Sequence, residues 1–281
     1  MKRVELSYNE ALKAFVISDA ELFKINEQQI IPDLTLPDSA YRLLHVPAPT
    51  EDAPTVAFLL GRDGDAYSAD WNYVRSIAKS GVKIRFIDYV HPNTELTGCD
   101  GLILPGGAFT SPERYYTDPG EEPKHMPRAF AYIVCIRRAI EMGMPILGIC
   151  AGAQMVAGEC GLKLYRDQSY INGEVKIEHK TKEHTAHKVF VSDPILKQML
   201  GSWLWTNSRH NETVVPDDTI PGAELKIFAT AEDGVPEAWG CWDKNILCVQ
   251  WHPEDGATWG NHKMQAIYNW LAQKATVYAN Q

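Results

Sequence analysis

From residue 55 onward, short apolar runs alternate with stretches in which apolar residues recur at helical spacing. The runs are almost continuously apolar, which is typical of strands buried on both faces of a parallel sheet. Helices are predicted at 68–80, 127–142 and 258–278, and Gly143 can end the second in a left-handed conformation. The alternation predicts an α/β fold, a mostly parallel central sheet with helices on both faces. The predicted strands are TVAFLL, VKIRFIDYV, GLILP, PILGI and ILCVQW.

Residues 1–54 follow a different pattern. Prolines interrupt nearly every stretch after about residue 30, and the scattered apolar positions of 5–30 fit either a helix or a short hairpin. We therefore interpret 1–54 as an N-terminal extension or linker and 55–281 as the folded domain. The prolines concerned are Pro32, Pro37, Pro47, Pro49 and Pro54.

The net charge of the chain limits the classes of partner that it is expected to bind. The 281 residues include 36 Asp and Glu against 27 Lys and Arg, a net charge of −9, which argues against binding of nucleic acid or anionic lipid. No apolar run approaches the roughly 18 residues of a membrane-spanning helix, and the polar N-terminus lacks a signal-peptide core. We expect a soluble cytoplasmic protein, with no nucleic-acid or membrane partner, that acts on a small molecule or peptide.

One cysteine stands apart from the others. The six cysteines contain no CxxC pair and mostly lie inside apolar runs, which indicates buried free thiols in a reducing compartment. Cys150 instead joins the strand PILGI to the helical run AQMVAGEC. A residue at such a turn is exposed at the carboxyl edge of a sheet, and the positive end of the helix favours its thiolate. A lone cysteine is usually structural, but this position makes Cys150 a candidate nucleophile.

Two further motifs supply groups that a cysteine nucleophile needs. The glycines of LPGG, Gly106 and Gly107, permit a tight turn, so the Gly107 and Ala151 amides can form an oxyanion hole. In ILCVQWHPE, the proline favours an extended backbone that projects His252 and Glu254 to the same side. Glu254 can then orient the imidazole as a base. Alone, the first motif is an ordinary turn and the histidine a surface residue; together with Cys150 they favour catalysis.

Three specific motifs thus occur in one order: LPGG at 104–107, PILGICAGAQ at 145–154 and VQWHPE at 249–254. In these motifs the chain resembles the class I glutamine amidotransferase superfamily, and within it the peptidase C26 branch of hydrolases related to γ-glutamyl-γ-aminobutyrate hydrolase. The resemblance covers about residues 55–275. Weaker similarities to the hydrolase branch lie in CGLKLYRD, AHKVFVSDPIL, TNSRHNE and DGVPEAWG.

The resemblance implies a flavodoxin-like sheet and a hydrolase of carbon–nitrogen amide bonds. Its catalytic triad would be Cys150 as nucleophile, His252 as base and Glu254 as orienting acid, with a glutamyl-thioester intermediate. Gly107 and Ala151 would donate to the oxyanion through their amides, and the resemblance implies no cofactor and no metal. The residues that it implies on the substrate side are Gly106, Gln154, Asn207, Ser208 and His210.

The chain departs from these hydrolases in two places. Ala151 stands where they usually have arginine, and the loop 109–126 lacks their acidic Arg-Asp pattern. Both departures leave the amine side of the substrate open. It could be a polyamine-derived compound, a peptide, a folate-like chain or a modified protein.

Three functions fit these residues. A self-sufficient γ-glutamyl hydrolase is favoured by the hydrolase-like segments. A glutaminase subunit would use the same residues but supply ammonia to a separate synthetase partner. A non-catalytic binding protein would use the fold for recognition alone. The oligomeric state, including a homodimer, and the role of 1–54 are also left open.

A histidine-rich segment, EHKTKEHTAHK at 178–188, contains His179, His184 and His187. Their spacing matches no common zinc pattern, and the lysines between them discourage a cation. We interpret the segment as a solvated hairpin and expect no metal site.

Overall fold

The computed structural model describes residues 2–28, 32–63, 65–89, 96–108, 111–118, 126–171, 176–217 and 222–281. Seventeen strands and eight α-helices lie in these residues. The strands are β1 (Lys2–Glu5), β2 (Ser7–Asn9), β3 (Ala14–Ser18), β4 (Pro32–Thr35), β5 (Thr55–Leu59), β6 (Gly61–Asp63), β7 (Ala66–Asp70), β8 (Lys83–Ile87), β9 (Gly101–Leu104), β10 (Ile146–Ile149), β11 (Leu164–Tyr165), β12 (His187–Val191), β13 (Trp203–Thr206), β14 (Thr213–Val214), β15 (Lys226–Ala231), β16 (Pro236–Cys241) and β17 (Ile246–Val249). The helices are α1 (Asp19–Glu27), α2 (Asp38–Leu43), α3 (Trp71–Ala78), α4 (Met126–Met142), α5 (Ala151–Glu159), α6 (Pro194–Leu200), α7 (Pro253–Thr258) and α8 (His262–Ala279).

Within the described ranges, eleven strands form one sheet in the order β1-β4-β8-β5-β9-β10-β17-β16-β15-β12-β13. Its central strands, from β8 to β17, are all parallel. Numbered by their place in the chain, they have the order 2-1-3-4-5 of a flavodoxin-like sheet. Beyond β17 the sheet continues with antiparallel strands. The predicted α/β fold with a parallel centre is confirmed.

Helices cover both faces of the parallel strands. On one face α3, α7 and α8 pack together, and α8 lies against β5 and β9. On the other face α4 packs against α5, and α5 lies against β10. None of the described helices combines the length and the apolar character that crossing a membrane requires.

Local sequence explains where these helices begin and end. Asp70 Oδ1 accepts a hydrogen bond from the Asn72 amide at 2.8 Å and caps α3. Because β7 occupies Ala66–Asp70, α3 begins at Trp71, later than predicted. Gly143 has a φ of 67°, which fits its predicted role at the end of α4.

The N-terminal segment differs from the extension or linker that we expected. β1 pairs with β4, and β4 pairs with β8, so both strands widen the central sheet. The undecided stretch 5–30 contains the hairpin β2–β3 followed by α1, and β3 pairs with β7 in a second sheet. In its described residues the segment is folded into the molecule, and the linker interpretation is corrected.

Two prolines of this segment lie at the starts of elements and do not interrupt them. Pro32 opens β4, and Pro37 is the N-cap of α2, positions where the missing N–H costs little. The side chains of Leu6, Phe15 and Leu34 are 1% exposed or less and belong to the hydrophobic core. Whether 55–281 forms a domain of its own stays a prediction.

Candidate active site

Three parallel strands end side by side at the carboxyl edge of the sheet. Leu104 of β9 lies opposite Gly148 of β10, and Ile149 lies opposite Val249 of β17. The motif LPGG leaves β9, Cys150 leaves β10, and His252 follows β17. Motifs that are distant in the chain therefore meet at the edge where open α/β sheets bind their ligands.

Cys150 occupies the sharp turn that the sequence predicts. Its backbone has φ 51° and ψ −115°, a conformation that residues with a Cβ rarely adopt. Its amide donates to the Val249 carbonyl at 2.9 Å, which extends the strand by one bond before α5 starts at Ala151. Cys150 is 7% exposed, so only a small part of the residue is accessible to solvent.

Two glycines allow α5 to sit directly against the strand ends. A Cβ on Gly152 would lie 2.1 Å from the carbonyl oxygen of Leu104, and one on Gly148 would lie 2.8 Å from Ala153 Cα. Neither neighbour is a flexible side chain, so no larger residue fits at either position. The small residues of GICAG are therefore required by backbone packing.

Glu254 holds the ring of His252. Its Oε1 lies 2.6 Å from His252 Nδ1, and the side chain is 3% exposed. This contact directs Nδ1 to the carboxylate and leaves Nε2 for the sulfur of Cys150. Burial by itself lowers the pKa of His252, but the charge of Glu254 and then Cys150 raise it, and the net pKa lies well above 6.5. His252 therefore favours the imidazolium form beside the sulfur.

Asn207 fixes the backbone of His252. Its Oδ1 accepts from the His252 amide at 2.8 Å, and its Nδ2 donates to the His252 carbonyl at 2.9 Å. Nδ2 also lies 3.3 Å from Asp255 Oδ2, and Asp255 pairs with Arg209 at 2.5 Å. The segment TNSRHNE is thus hydrogen-bonded to the backbone of His252 through Asn207.

Tyr73 of α3 links the LPGG loop to the histidine. Its hydroxyl accepts a hydrogen bond from the Gly106 amide at 3.0 Å and lies 3.3 Å from His252 Nδ1. A Cβ on Gly106 would lie 2.8 Å from His252 Cε1 and 3.1 Å from Cys150 Cβ. Gly106 therefore lets the loop approach both side chains.

Arg128 of α4 supports the same loop from the other side. Its guanidinium donates to the Gly106 carbonyl at 2.8 Å and to Tyr132 Oη at 3.1 Å, while Tyr132 donates to the Pro105 carbonyl at 2.5 Å. Arg128 is 8% exposed, and a Cβ on Gly107 would lie 2.0 Å from its Nη1. The loop is therefore clamped by a buried cation that the sequence analysis did not single out.

The two predicted oxyanion donors lie at the mouth of this arrangement. Ala151 is the first residue of α5, so its N–H has no acceptor within the helix. Within the described part of the chain, the Gly107 amide has no acceptor either, and Gly107 is exposed. Both amides are free to bind an oxygen atom of a ligand.

A cavity of about 380 Å³ opens at Cys150. Its walls include both donor residues, His252 and Gln154, together with residues 209–212 and Lys180. Gln154 and His210 thus reach the cavity, as the resemblance implied. Gln154 Nε2 is already bound to the Glu212 carbonyl at 3.0 Å and to Gln250 Oε1 at 3.2 Å.

The other substrate-side residues lie elsewhere. Gly106, Asn207 and Ser208 are not among the described residues that line the cavity. Asn207 is 4% exposed, Ser208 is fully buried, and Ser208 Oγ lies 3.2 Å from His179 Nδ1. The structure thus gives Asn207 and Ser208 supporting contacts behind the wall. Residues 109, 110 and 119–125 of the loop 109–126 lie outside the described residues.

The histidine-rich segment is only partly solvated, which corrects the predicted hairpin. His184 is exposed, but His179 and His187 are 0% and 2% exposed. Both rings contact acids that lie far along the chain, which a local pattern cannot reveal. These residues form what we call the histidine cluster: His179, His187, His210, Asp233 and Glu237.

Comparison with known proteins identifies the family of the chain. The profile of the peptidase C26 family matches residues 64–254, a span that contains all three motifs. The chain belongs to the peptidase C26 family. Members of this family hydrolyse carbon–nitrogen bonds, and the enzyme class predicted from the sequence is confirmed.

Individual relatives of this peptidase C26 chain are distant. It is 34% identical over 172 residues to a putative glutamine amidotransferase-like protein, YvdE, of Lactococcus lactis, which covers 58% of this chain and 69% of that one. It is 29% identical over 168 residues to the γ-glutamyl-γ-aminobutyrate hydrolase PuuD of Escherichia coli, covering 55% and 64%. The crystal structure of a glutamine amidotransferase from Thermotoga maritima has a similar fold, with a TM-score of 0.57, 14% identity and coverage of 79% and 98%.

Proposed function

We propose that the chain hydrolyses a γ-glutamyl amide bond through a glutamyl-thioester on Cys150. One observation supports this most directly: Cys150, His252 and Glu254 meet at the edge of a cavity, beside two amides that have no acceptor among the described residues. An unactivated amide needs a nucleophile, an acid for its nitrogen and donors for the developing oxyanion. All of these groups are present.

The first half of the reaction forms the thioester. The Cys150 thiolate attacks the γ-carbonyl carbon, and the carbonyl electron pair moves to the oxygen, which accepts hydrogen bonds from Gly107 and Ala151. The carbonyl re-forms as the C–N bond breaks, and His252 gives its Nε2 proton to the departing amine. The raised pKa of His252 means that it holds this proton at neutral pH.

The second half releases glutamate. Neutral His252 takes a proton from a water molecule, which attacks the thioester carbon. The C–S bond then breaks, and the thiolate and the imidazolium are restored. Glu254 keeps the ring oriented and stabilises its positive charge in both halves.

The cavity wall favours an anionic group on the amine side of the substrate. Lys180 and Arg209 lie opposite each other in an antiparallel bridge, and both line the cavity. Arg209 is paired with Asp255, whereas no described acid lies within ion-pair distance of Lys180. Burial raises the pKa of the Glu212 carboxyl on the same wall. The wall therefore suits a terminal carboxylate better than a terminal ammonium group.

Glutamate release from a matched set of amides tests the proposal. The set contains γ-glutamyl-γ-aminobutyrate, γ-glutamyl-putrescine, a γ-glutamyl dipeptide and free glutamine, with Cys150→Ala as the control for contaminating activity. We expect release from at least one γ-glutamyl compound well above release from glutamine, and none from Cys150→Ala.

Other outcomes of this assay would support one of the two alternative functions. Hydrolysis of glutamine alone would favour a glutaminase subunit that supplies ammonia to a synthetase partner. No release from any compound by folded protein would favour a non-catalytic binding protein, and release that persists in Cys150→Ala would overturn the mechanism.

A further inference from the structure

The histidine cluster gathers three imidazole rings around one carboxylate oxygen. Glu237 Oε1 lies 3.2 Å from His179 Nδ1, 3.0 Å from His187 Nε2 and 3.6 Å from His210 Nε2. All four residues are 5% exposed or less. Three imidazole nitrogens and one carboxylate at such close range form a ligand set typical of zinc. Zinc would replace the proton of His179, whose pKa is lowered by burial but raised to about 9 by its hydrogen bonds to Asp233 and Glu237.

The outer nitrogens of two rings are held by other groups. His179 Nε2 lies 2.9 Å from Asp233 Oδ2, and His210 Nδ1 lies 2.9 Å from the Glu212 carbonyl. A carboxylate or carbonyl that binds the outer N–H of a histidine directs the lone pair of the inner nitrogen toward a metal. In both residues that inner nitrogen is the one that faces Glu237.

Several atoms of the cluster also lack hydrogen-bond partners. Among the described residues, Glu237 Oε2, His187 Nδ1 and His210 Nε2 are buried without one. A buried carboxylate oxygen without a partner is costly, and protein interiors normally satisfy it. A cation bound between the rings and the carboxylate would remove part of that cost.

Distances fit a metal ion of modest size. In a tetrahedral site with ligands about 2.0–2.1 Å from zinc, neighbouring ligand atoms are roughly 3.3 Å apart. The three contacts of Glu237 Oε1 lie on both sides of that value. The ligand atoms of His179, His187 and Glu237 all lie within 4.8 Å of one another, and His210 joins them through its 3.6 Å contact with Glu237 Oε1, so the rings would move inward to close on the ion.

We propose that His179, His187, His210 and Glu237 form a binding site for a divalent d-block ion of the zinc type. Imidazole nitrogens select such ions over magnesium and calcium, which prefer oxygen ligands. Asp233 would orient His179 from outside the site, and Ser208 Oγ would give up its contact with His179 Nδ1. None of the four ligands belongs to the proposed catalytic triad, so the site does not depend on the proposed reaction.

An ion in this site would stabilise one wall of the cavity at Cys150. His210 lines the cavity, and its amide donates to the His179 carbonyl at 2.9 Å, so a shared ion would lock two segments together. The neighbouring Asn207 holds the backbone of His252. An ion here would therefore stiffen the support of the histidine without touching the reacting atoms.

Zinc titration of the chelator-stripped full chain tests this site. Cys150 and His252 could themselves bind zinc, so wild type and Cys150→Ala are titrated side by side against a competing chromophoric chelator. We expect one tightly bound ion per chain in both. Binding in the wild type that disappears in Cys150→Ala would assign the ion to the active site and overturn the proposal.

Variants within the cluster provide the second test. His187→Gln and Glu237→Gln should weaken binding by at least about 100-fold, whereas His184→Gln, an exposed histidine of the same segment, should bind as the wild type does. Unchanged affinity in folded Glu237→Gln would overturn the proposal.

Cobalt gives a readout that needs no cluster variant. The wild-type chain with one equivalent of Co²⁺ should show the strong visible absorption of tetrahedral coordination without a thiolate charge-transfer band. Absence of the visible band, or a thiolate band that requires Cys150, would overturn the site and leave a hydrogen-bonded cluster instead.

Discussion

The protein contains two buried groups built from histidine and carboxylate, and they differ in how many rings share one acid. At the active site Glu254 contacts the single ring of His252, whose other nitrogen is left for the sulfur of Cys150. In the histidine cluster Glu237 faces three rings at once, and among the described residues no thiol belongs to the cluster. The first group keeps one ring nitrogen available for proton transfer. In the second group, one nitrogen of each ring faces Glu237.

The difference shows that a buried histidine–carboxylate contact does not by itself identify a catalytic site. His210 of the histidine cluster lines the same cavity, so what distinguishes His252 is its contact with the thiol of Cys150, the proposed nucleophile. The histidine cluster instead joins strands β12 and β16 to the segment 208–210 that supports the cavity wall. Each group should therefore respond to substitution in its own way.

Removal of the Cys150 thiol should have the largest effect on activity. Cys150→Ala should lower kcat/KM by at least about 10³-fold with an unchanged melting temperature, because no other group can form the thioester. The matched control is Cys241→Ala, which removes a partly buried thiol remote from the cavity and should retain activity. Steady-state kinetics on the best γ-glutamyl substrate measures both. Equal activity in the two variants would contradict the assignment of the nucleophile.

The acid of the histidine cluster should act mainly on stability. In the presence of chelator, Glu237→Gln should lower the free energy of unfolding by about 3 kcal/mol, because it removes a fully buried charge that faces three rings. Urea denaturation measures the change, with the exposed Glu183→Gln of the same segment as control. Full stability in the variant would show that the cluster contributes little to the fold.

The acid of the active pair should act mainly on catalysis and its pH dependence. Glu254→Gln should reduce kcat/KM by about 10²-fold, because the ring loses its orientation and its stabilising charge. Glu254 raises the pKa of His252, so the variant should lose the imidazolium proton at lower pH than the wild type. The alkaline limb of the pH–rate profile should therefore move to lower pH. A limb that stays in place would argue that Glu254, through its contact with His252 Nδ1, does not set the pKa of the catalytic imidazole.

A smaller effect should come from the clamp on the oxyanion loop. Arg128→Gln should lower kcat by about 10-fold with little change in KM, because the Gly107 donor acts mainly on the transition state. Arg128→Lys should restore part of the rate, and Arg138→Gln, an exposed arginine of the same helix, serves as control. A change in KM alone would indicate that Arg128 serves substrate binding instead.

The smallest effect should appear in selectivity. Lys180→Glu should reduce the preference for γ-glutamyl-γ-aminobutyrate over γ-glutamyl-putrescine by about 10-fold or less, because an exposed charge is screened by solvent. Lys182→Glu, two residues along the same segment, should leave the ratio unchanged. Equal ratios in all three proteins would argue against a cationic wall as the basis of specificity.

The features predicted correctly from the sequence are those whose cause is local. The parallel strands are recognisable in the sequence as apolar runs. Cys150 lies at a strand-to-helix junction that the local sequence pattern indicates. Gly106 and Gly152 lie where the chain closely approaches the side chains of Cys150 and His252 or the backbone of Leu104. LPGG, the Cys150 turn and the His252 motif each follow a predicted parallel strand. This position indicates that all three lie at the carboxyl edge of the sheet.

The features that were missed depend on partners far along the chain. Tyr73 and Arg128 lie on helices with no pattern that distinguishes them from other surface or core residues, and only the fold brings them to the LPGG loop. His179 and His187 lie in a polar segment, and their burial depends on Asp233 and Glu237, about fifty residues later. Polarity along the chain predicted solvent exposure there, whereas mutual pairing of polar groups allowed burial.

The contact of Gly152 with Leu104 has a consequence for how this enzyme could be altered. Because α5 rests on the backbone of β9, the spacing between the nucleophile and the oxyanion loop is set by main-chain atoms and not by exchangeable side chains. In the proposed function, by contrast, the amine of the substrate is selected by side chains of a separate wall. Evolution or protein engineering could therefore revise the choice of amine at Lys180 and Arg209 while leaving the bond-breaking apparatus intact.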